Sequence, residues 1–500
     1  MYVPDYDGFA RLAEKGNLVP VYREILSDLD TPVSAFLKLR QSNGDYACLL
    51  ESVSGGENVA RFSYVAVRPP VVMASKDRRV RIRRGSEVAQ FDLAQGQDPL
   101  HVLKDLMAAY SYVPLPGWKR FPGGMVGYMA YDLVRFFEEL PALKPDDLGL
   151  PDCQFMLADT LLVFDHVMNR VRIVANAHVD DDPQEAYWEA IERIEWLVDL
   201  LSRPLVPTGR ESGRPARVPE DPSALPSTMT RAQHREAVLA AKDYIAAGDV
   251  IQVVLSHRMH VQVSADPFDV YRALRAINPS PYMFYLSFGD LKLIGASPEI
   301  LVTEDGGEVV TRPIAGTRQR GLDDEHDRRL AEELLADAKE RAEHVMLVDL
   351  HRNDIGRVCQ PGSVQVDELM TIERYSHVMH IVSNVRGRLR PDRDQFDLLR
   401  ATFPAGTVSG APKIRAMQII EELEPVRRGP YAGAVGYFGF SGAMDTCITL
   451  RTVVMKGDTA YLQAGGGIVA DSDPDREYQE TMNKAAAILQ AVGLADRGLQ

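Results

Sequence analysis

Two glutamate pairs in this chain share one spacing. Glu340 and Glu343 lie in KERAEHVMLVDLHRND at 339–354, and Glu477 and Glu480 lie in REYQETMNKA at 476–485. Residues three apart share a helix face, so each pair sets two carboxylates side by side. Such a pair is commonly a solvated face. Here the first pair runs into the apolar HVMLVDL, which implies partial burial. The second follows QAGGGIVADSDP, where Asp473 suits an N-cap and Pro474 a first helical position. The triple glycine, Gly465 to Gly467, reads as the end of a strand where backbone N–H groups can approach an anion. Magnesium sites use one or two protein carboxylates with substrate oxygens and water. Two such helices facing each other across an anionic ligand would meet that need, though spacing alone leaves the solvated reading open.

Elements must bring these distant pairs together. A stretch with six prolines, RPLVPTGRESGRPARVPEDPSALPST at 203–228, reads as an extended linker between 1–202 and 229–500. Beyond it, Thr230 and Gln233 have capping-box spacing and precede an apolar stripe of Ala237, Val238, Ala241, Tyr244 and Ile245. Strands are expected at VIQVVLSHRMHVQV, YMFYLSF, KLIGASPEILVT, AVGYFGFSG, CITLRTVVMKG and TAYLQAGGGIV. Helices are expected near 266–277, 324–346, 394–402, 412–422 and 474–492. In the first part, TLLVFDHVMNRVRIVANA reads as a strand pair turning near Asn169. Strands in adjacent runs and helices in blocks favour an antiparallel α+β fold. GGMVGY at 123–128 and AGAVGY at 432–437 echo each other, which is expected where glycine strands let backbones approach.

Bulk properties narrow the function. The net charge is −15, which argues against a general nucleic-acid role. The four cysteines, Cys48, Cys153, Cys359 and Cys447, are scattered without a CxxC, so neither a zinc site nor a disulfide framework is expected. The first residues lack the apolar core of a signal peptide, and no run of 18 apolar residues occurs. A cytoplasmic protein without a membrane span is the expectation. No GxxxxGK[ST], strand-borne GxGxxG or GxSxG is present, and GTVSGAPK has its glycines and lysine in the wrong order for a phosphate loop.

A collinear series of stretches carries a resemblance. They are GDVIQVVLS, NPSPYMF, GASPEILV, RPIAGTRQRG, KERAEHVMLVDLHRNDIGRV, VMHIVSNVRG, FPAGTVSGAPKIRAMQIIEELEP, GAVGYFGFSGAMDTCITLRT and QAGGGIVADSDPDREYQET. In this order they resemble the chorismate-utilising enzymes over nearly all of 229–490. LLES and FPGGMVGYMAYD extend the match toward the anthranilate synthase group. The resemblance implies large antiparallel sheets packed as a sandwich with helices outside. It implies Mg²⁺ held by Glu343 and Glu480, with Glu340 and Glu477 as close or water-mediated partners. It implies substrate contacts from Gly316, Thr317, Tyr437, Arg451, Gly465, Gly466 and Gly467. Arg451 suits a carboxylate because guanidinium binds it as a fork. His380, otherwise an ordinary core histidine, is implied beside the C4 hydroxyl with Thr317, and His344 and His377 are expected to be structural.

Two positions separate the family's reactions. Isochorismate and salicylate synthases carry a water-activating lysine where this chain has Gln252. Aminodeoxychorismate synthases carry a nucleophilic lysine in PIKGT where this chain has Ala315. With neither lysine, the expected nucleophile is external ammonia, giving anthranilate and pyruvate. No cysteine here has flanking glycines, so a separate glutamine amidotransferase subunit is the expected ammonia source, in a heterotetramer of two large and two small subunits. LLES resembles a tryptophan feedback element, with Glu51, Ser52, Asn278, Pro281, Tyr282, Met283 and Cys447 around the effector. A catalytically dead regulatory subunit is the competing reading, and the four glutamates, His380 and Arg451 argue against it.

Overall fold

Runs such as YACLLE (Tyr46–Glu51) and TLLVFD (Thr160–Asp165) are apolar at almost every position, as expected of strands covered on both faces. The computed structural model describes residues 1–41, 45–53, 61–116, 121–205, 218–374 and 378–499. Among them, two twelve-stranded sheets form, and the strand pairs within them are antiparallel. In the first, the neighbours relevant to function run Tyr46–Glu51, Tyr282–Phe288, Leu291–Ser297, Thr452–Lys456, Thr459–Ile468 and Gln252–Gln262. In the second, Ile314–Gln319 and Val378–Arg388 lead through Ile300–Asp305 and Met444–Ile448 to Ala434–Gly439 and Gly124–Met129.

Period-two alternation sorts the side chains into layers. Val126, Tyr128, Phe284, Leu286, Leu293 and Val435 fill the space between the sheets. Phe36, Phe268 and Leu489 join helices to the outer face of the first sheet, and Leu103, Val348 and Leu399 do so on the second. Burying one such side chain contributes about 1.5–3 kcal/mol, so each layer depends on many. The expected sandwich with helices outside is therefore present.

Three local expectations change or sharpen. The stretch at 203–228 separates chain segments but not sheets: Tyr46–Glu51 pairs with Tyr282–Phe288, and Gly124–Met129 pairs with Ala434–Gly439. Both sheets are thus built from both sides of the linker, of which 206–217 lies outside the described residues. The glycine echo has a spatial cause, since Gly127 sits opposite Gly436 and Gly124 opposite Gly439. A Cβ at Gly127, Gly124 or Gly436 would lie about 2 Å from a backbone oxygen, so the sheet closes only with glycine there. The single helix expected over 324–346 is two, Asp324–Ala336 and Ala338–Gly356. Asp337 leaves the helical conformation, and its carboxylate caps the N–H groups of Lys339 and Glu340. No described helix is long and apolar enough to cross a membrane.

Candidate active site

Gln252 begins its strand between three of the expected site features. It pairs with Ala411 on one side, and Val254, two residues on, pairs with Gly467 on the other. Its Nε2 lies 3.4 Å from Glu343 Oε1, and its buried Oε1 has no hydrogen-bond partner in the protein. A Cβ on Gly467 would stand 2.2 Å from Gln252 Nε2, so glycine is required for the side chain to lie there. The three glycines belong to the strand Thr459–Ile468, opposite Val254, Leu255 and Ser256, rather than to an anion-binding turn. Their service is close approach. A Cβ on Gly466 would be 3.3 Å from Glu477 Oε2 and 3.9 Å from Glu480 Oε1.

The new helix boundary at Asp337 puts Glu340 and Glu343 in the first two turns of their helix. Glu340 accepts from Arg318 Nη1 at 3.1 Å, and its Oε2 lies beneath Gly316. Glu343 is half-buried, and burial, then Glu340 and Glu480, raise its pKa above the usual carboxylate value. Burial, with Glu480 adding, also raises that of Glu477. Glu480 is the open member, paired with Lys484 Nζ at 2.8 Å, and Lys484 also donates to the Gly465 carbonyl. Glu343 thus stands beside Gln252, Glu477 and Glu480 face Gly466, and Glu340 lies next to Glu343 beneath Gly316. Among the described residues no three acidic, imidazole or thiol groups converge into a complete cage for a metal. Two half-buried carboxylates, raised by burial and then by like charge, with oxygen donors only, fit a hard cation that takes its remaining ligands from substrate and water.

The opposite wall is polar. Gly316 has φ 62° at a register shift between Ala315 and Thr317, a bulge that re-aims the strand. His380 Nδ1 lies 2.9 Å from the Gly316 carbonyl and 3.1 Å from Thr317 Oγ1. A carbonyl only accepts, so in the neutral ring the proton sits on Nδ1. Burial lowers the His380 pKa, and Arg451 lowers it further against the Gly316 bond. Arg451, at φ 46°, is itself largely buried, and that burial lowers its pKa.

Glu299, from GASPEILV, is a site residue that the sequence reading missed. It is 7% exposed, and burial pushes its pKa up to about 8 against the pull of Thr407 and Arg451. Glu299 Oε1 and Thr407 Oγ1 are buried and reach no well-formed hydrogen bond, although the Thr407 hydroxyl is near enough to favour the carboxylate. A buried carboxyl and hydroxyl left incompletely satisfied near Arg451 mark a place that a polar ligand completes. The signal in the sequence was a lone carboxylate placed directly before an apolar strand.

Tyr437 stands elsewhere. It packs on Phe121 at 4.1 Å between ring centroids and lines a cavity between the sheets. Tyr431, six residues earlier, is the tyrosine at the glycine wall: its hydroxyl would be 2.8 Å from a Cβ on Gly465. The inter-sheet cavity holds about 100 Å³ and brings together Glu51, Ser52, Pro281, Tyr282, Met283 and Cys447 with Phe62, Tyr64 and Asp445. Glu51 forms wall only in part, because its carboxylate accepts from Tyr271 and from Arg275 Nε at 3.0 Å. Ser52 Oγ is buried without a partner, and Tyr282 donates to Asp445 at 3.0 Å. Asn278 does not line the cavity; its Oδ1 meets Arg451 Nη1 at 3.5 Å. His344 bonds Ser383 at 2.6 Å in the core, and His377 lies outside the described residues.

Residues 58–490 match the family described as chorismate binding enzyme. The chain is 47% identical to anthranilate synthase component 1 of Acetivibrio thermocellus over 494 residues, 98% of this chain and 99% of that one. It is 50% identical to the Thermus thermophilus protein of the same name, covering 96% and 99%. The crystal structure of anthranilate synthase component I from Streptococcus pneumoniae aligns with TM-score 0.74 at 38% identity, covering 93% and 99%. The menaquinone-specific isochorismate synthase of Escherichia coli, at 21% identity and TM-score 0.69, shares the fold. The chain belongs to the chorismate-binding enzyme family, in its anthranilate synthase component I branch.

Proposed function

We propose that the protein converts chorismate and ammonia to anthranilate and pyruvate. It would serve as the large subunit of an anthranilate synthase, at the entry to tryptophan biosynthesis, in the cytoplasm. The observation that carries the choice among family reactions is the pair Gln252 and Ala315. Neither side chain can serve as a base toward water or as a nucleophile toward the ring. That Gln252 Oε1 is buried and partnerless, while its Nε2 faces Glu343, supports a role as acceptor for the ammonia N–H.

In this reading Arg451 grips the enolpyruvyl carboxylate, a charge-assisted contact strengthened by burial. Glu343 and Glu480, with Glu340 and Glu477 behind them, would hold Mg²⁺ against the ring carboxylate. When bound, that ion neutralises the carboxylate and fixes its orientation. Ammonia forms a bond to C2, the ring double bonds shift, and the C4 hydroxyl leaves as water with a proton from Glu299. Glu299 holds that proton at neutral pH because its pKa is about 8. His380, neutral and donating through Nδ1, orients the Gly316–Thr317 bulge against the leaving group. Loss of the C2 proton and of the C3 enolpyruvyl group as pyruvate then makes the ring aromatic.

Ammonia would come from glutamine through a separate amidotransferase subunit, in a heterotetramer of two large and two small chains. The test is incubation of this chain alone with chorismate, Mg²⁺ and ammonium. Blue-fluorescent product and pyruvate should appear in equal amounts. Accumulation of 4-amino-4-deoxychorismate or of isochorismate would point to the family's other two reactions. Glutamine should replace ammonium only when the partner is added.

The inter-sheet cavity is the proposed tryptophan site. Aromatic walls from Phe62, Tyr64 and Tyr437 suit an indole, and Ser52 and Asp445 suit an amino group. Cys447 lines the cavity and Arg451 lies four residues on, so the two sites share one chain segment. Ser52→Phe, which fills the cavity, should raise the tryptophan concentration for half-inhibition at least about tenfold, a coupling of the usual allosteric size. An unchanged inhibition curve would remove tryptophan from this cavity.

A further inference from the structure

Behind the acidic face of the C-terminal helix, Pro474–Arg497, a chain of side chains runs from the exposed Ser227 into the core, and the chemistry above does not use it. Ser227 Oγ lies 2.9 Å from His257 Nδ1, His257 Nε2 lies 2.9 Å from Thr481 Oγ1, and Thr481 Oγ1 lies 2.8 Å from the Tyr478 carbonyl. His257 and Thr481 are 1% and 0% exposed. The Tyr478 carbonyl can only accept, so the Thr481 proton goes to it. The Thr481 oxygen then receives N–H from His257 Nε2. The bare Nδ1 of the neutral ring takes the Ser227 proton. Each group is used in one direction, which fixes a single tautomer. Burial, with His234 adding, pushes the His257 pKa down to about 4, so the ring stays neutral at pH 7. The Tyr478 ring stacks on the imidazole at 5.7 Å and 21°.

This chain ties three elements: the segment before the helix Arg231–Ala246, the Gln252 strand and the C-terminal helix. Tyr478 follows Glu477, and Thr481 follows Glu480. A slip of one residue would turn this helix by about 100° and carry both carboxylates off Gly466. We propose that His257 is a positioning residue: through the Thr481 hydroxyl it sets the rotation of the turn that presents Glu477 and Glu480 to the cation. The proposal rests on the cation reading above.

The test measures Mn²⁺ uptake by the full chain with chorismate present and no ammonia source, so that the substrate supplies its ligands without turnover, using electron paramagnetic resonance, with melting temperature followed in parallel. Thr481→Val and His257→Leu should each weaken Mn²⁺ binding about tenfold or more, the size of effect expected of groups that orient ligands. The double variant should lose no more than either single one. His257→Gln, whose amide N–H reaches close to the place of Nε2–H, should recover most of the affinity. Where His257→Leu fails to fold, Thr481→Val and His257→Gln decide. Mn²⁺ affinity within threefold of wild type in Thr481→Val, or losses that multiply in the double variant, would overturn the proposal and leave the cation reading intact. A wild-type chain that takes up no Mn²⁺ would overturn both.

Discussion

Glu299→Gln should lower kcat by about 10²–10⁴-fold, the usual contribution of a positioned general acid, with KM for chorismate changed only a few-fold. The carboxyl sits where its neutral form is favoured, because burial outweighs Arg451 and raises its pKa to about 8. A proton is therefore available below pH 8 and is lost as pH rises through that value. At constant free ammonia, kcat of the wild type should fall above pH 8. The stability consequence has a definite sign. The folded pKa lies above the unfolded value of 4.5, so the stabilising effect of the protonated group is complete below that value and is lost as pH climbs toward 8. Glu299→Gln keeps the shape without the charge, so its melting temperature at pH 8 should equal or exceed that of wild type. Full kcat in Glu299→Gln, or a melting temperature that drops with activity, would remove the acid role.

Glu343→Gln is the second large effect. Its carboxylate is held beside Gln252, where burial and then Glu340 and Glu480 raise its pKa, an arrangement that costs stability unless a cation relieves it. Neutralising it should leave the fold as stable or more so. Activity should fall about a thousandfold, roughly 4 kcal/mol of transition-state stabilisation. Raising Mg²⁺ should recover part of the loss. The check is kcat/KM across a Mg²⁺ series with melting temperature alongside. Activity within tenfold of wild type throughout the series would contradict the role of Glu343.

Much of the site was legible from residue type and spacing. The ExxE pairs identified two helix faces, the Asp473–Pro474 start was a helix signal, and the glycine echo marked backbones in close approach. What escaped depends on which way a strand or helix turns. Tyr431 and Tyr437 both flank the same glycines. Only the start of the strand at Ala434 decides that Tyr437 faces the inter-sheet cavity and Tyr431 the glycine wall. Asp337 reads as one more residue of a helical run until its side chain is seen capping the next helix. Glu299 carries no spacing to any other chemical group, and its role comes from burial beside Arg451, which is 152 residues away in sequence. Glu51 lines the inter-sheet cavity, and what the sequence does not reveal is that Tyr271 and Arg275 already engage its carboxylate.

The most direct measurement of the central claim follows nitrogen-15 ammonium through a single reaction with chorismate and Mg²⁺. The account predicts the label on the ring carbon next to the carboxylate-bearing carbon, in an aromatic product, with one pyruvate released for each label incorporated. Label on the carbon that carried the hydroxyl, or an unlabelled product with oxygen from water at C2, would contradict it.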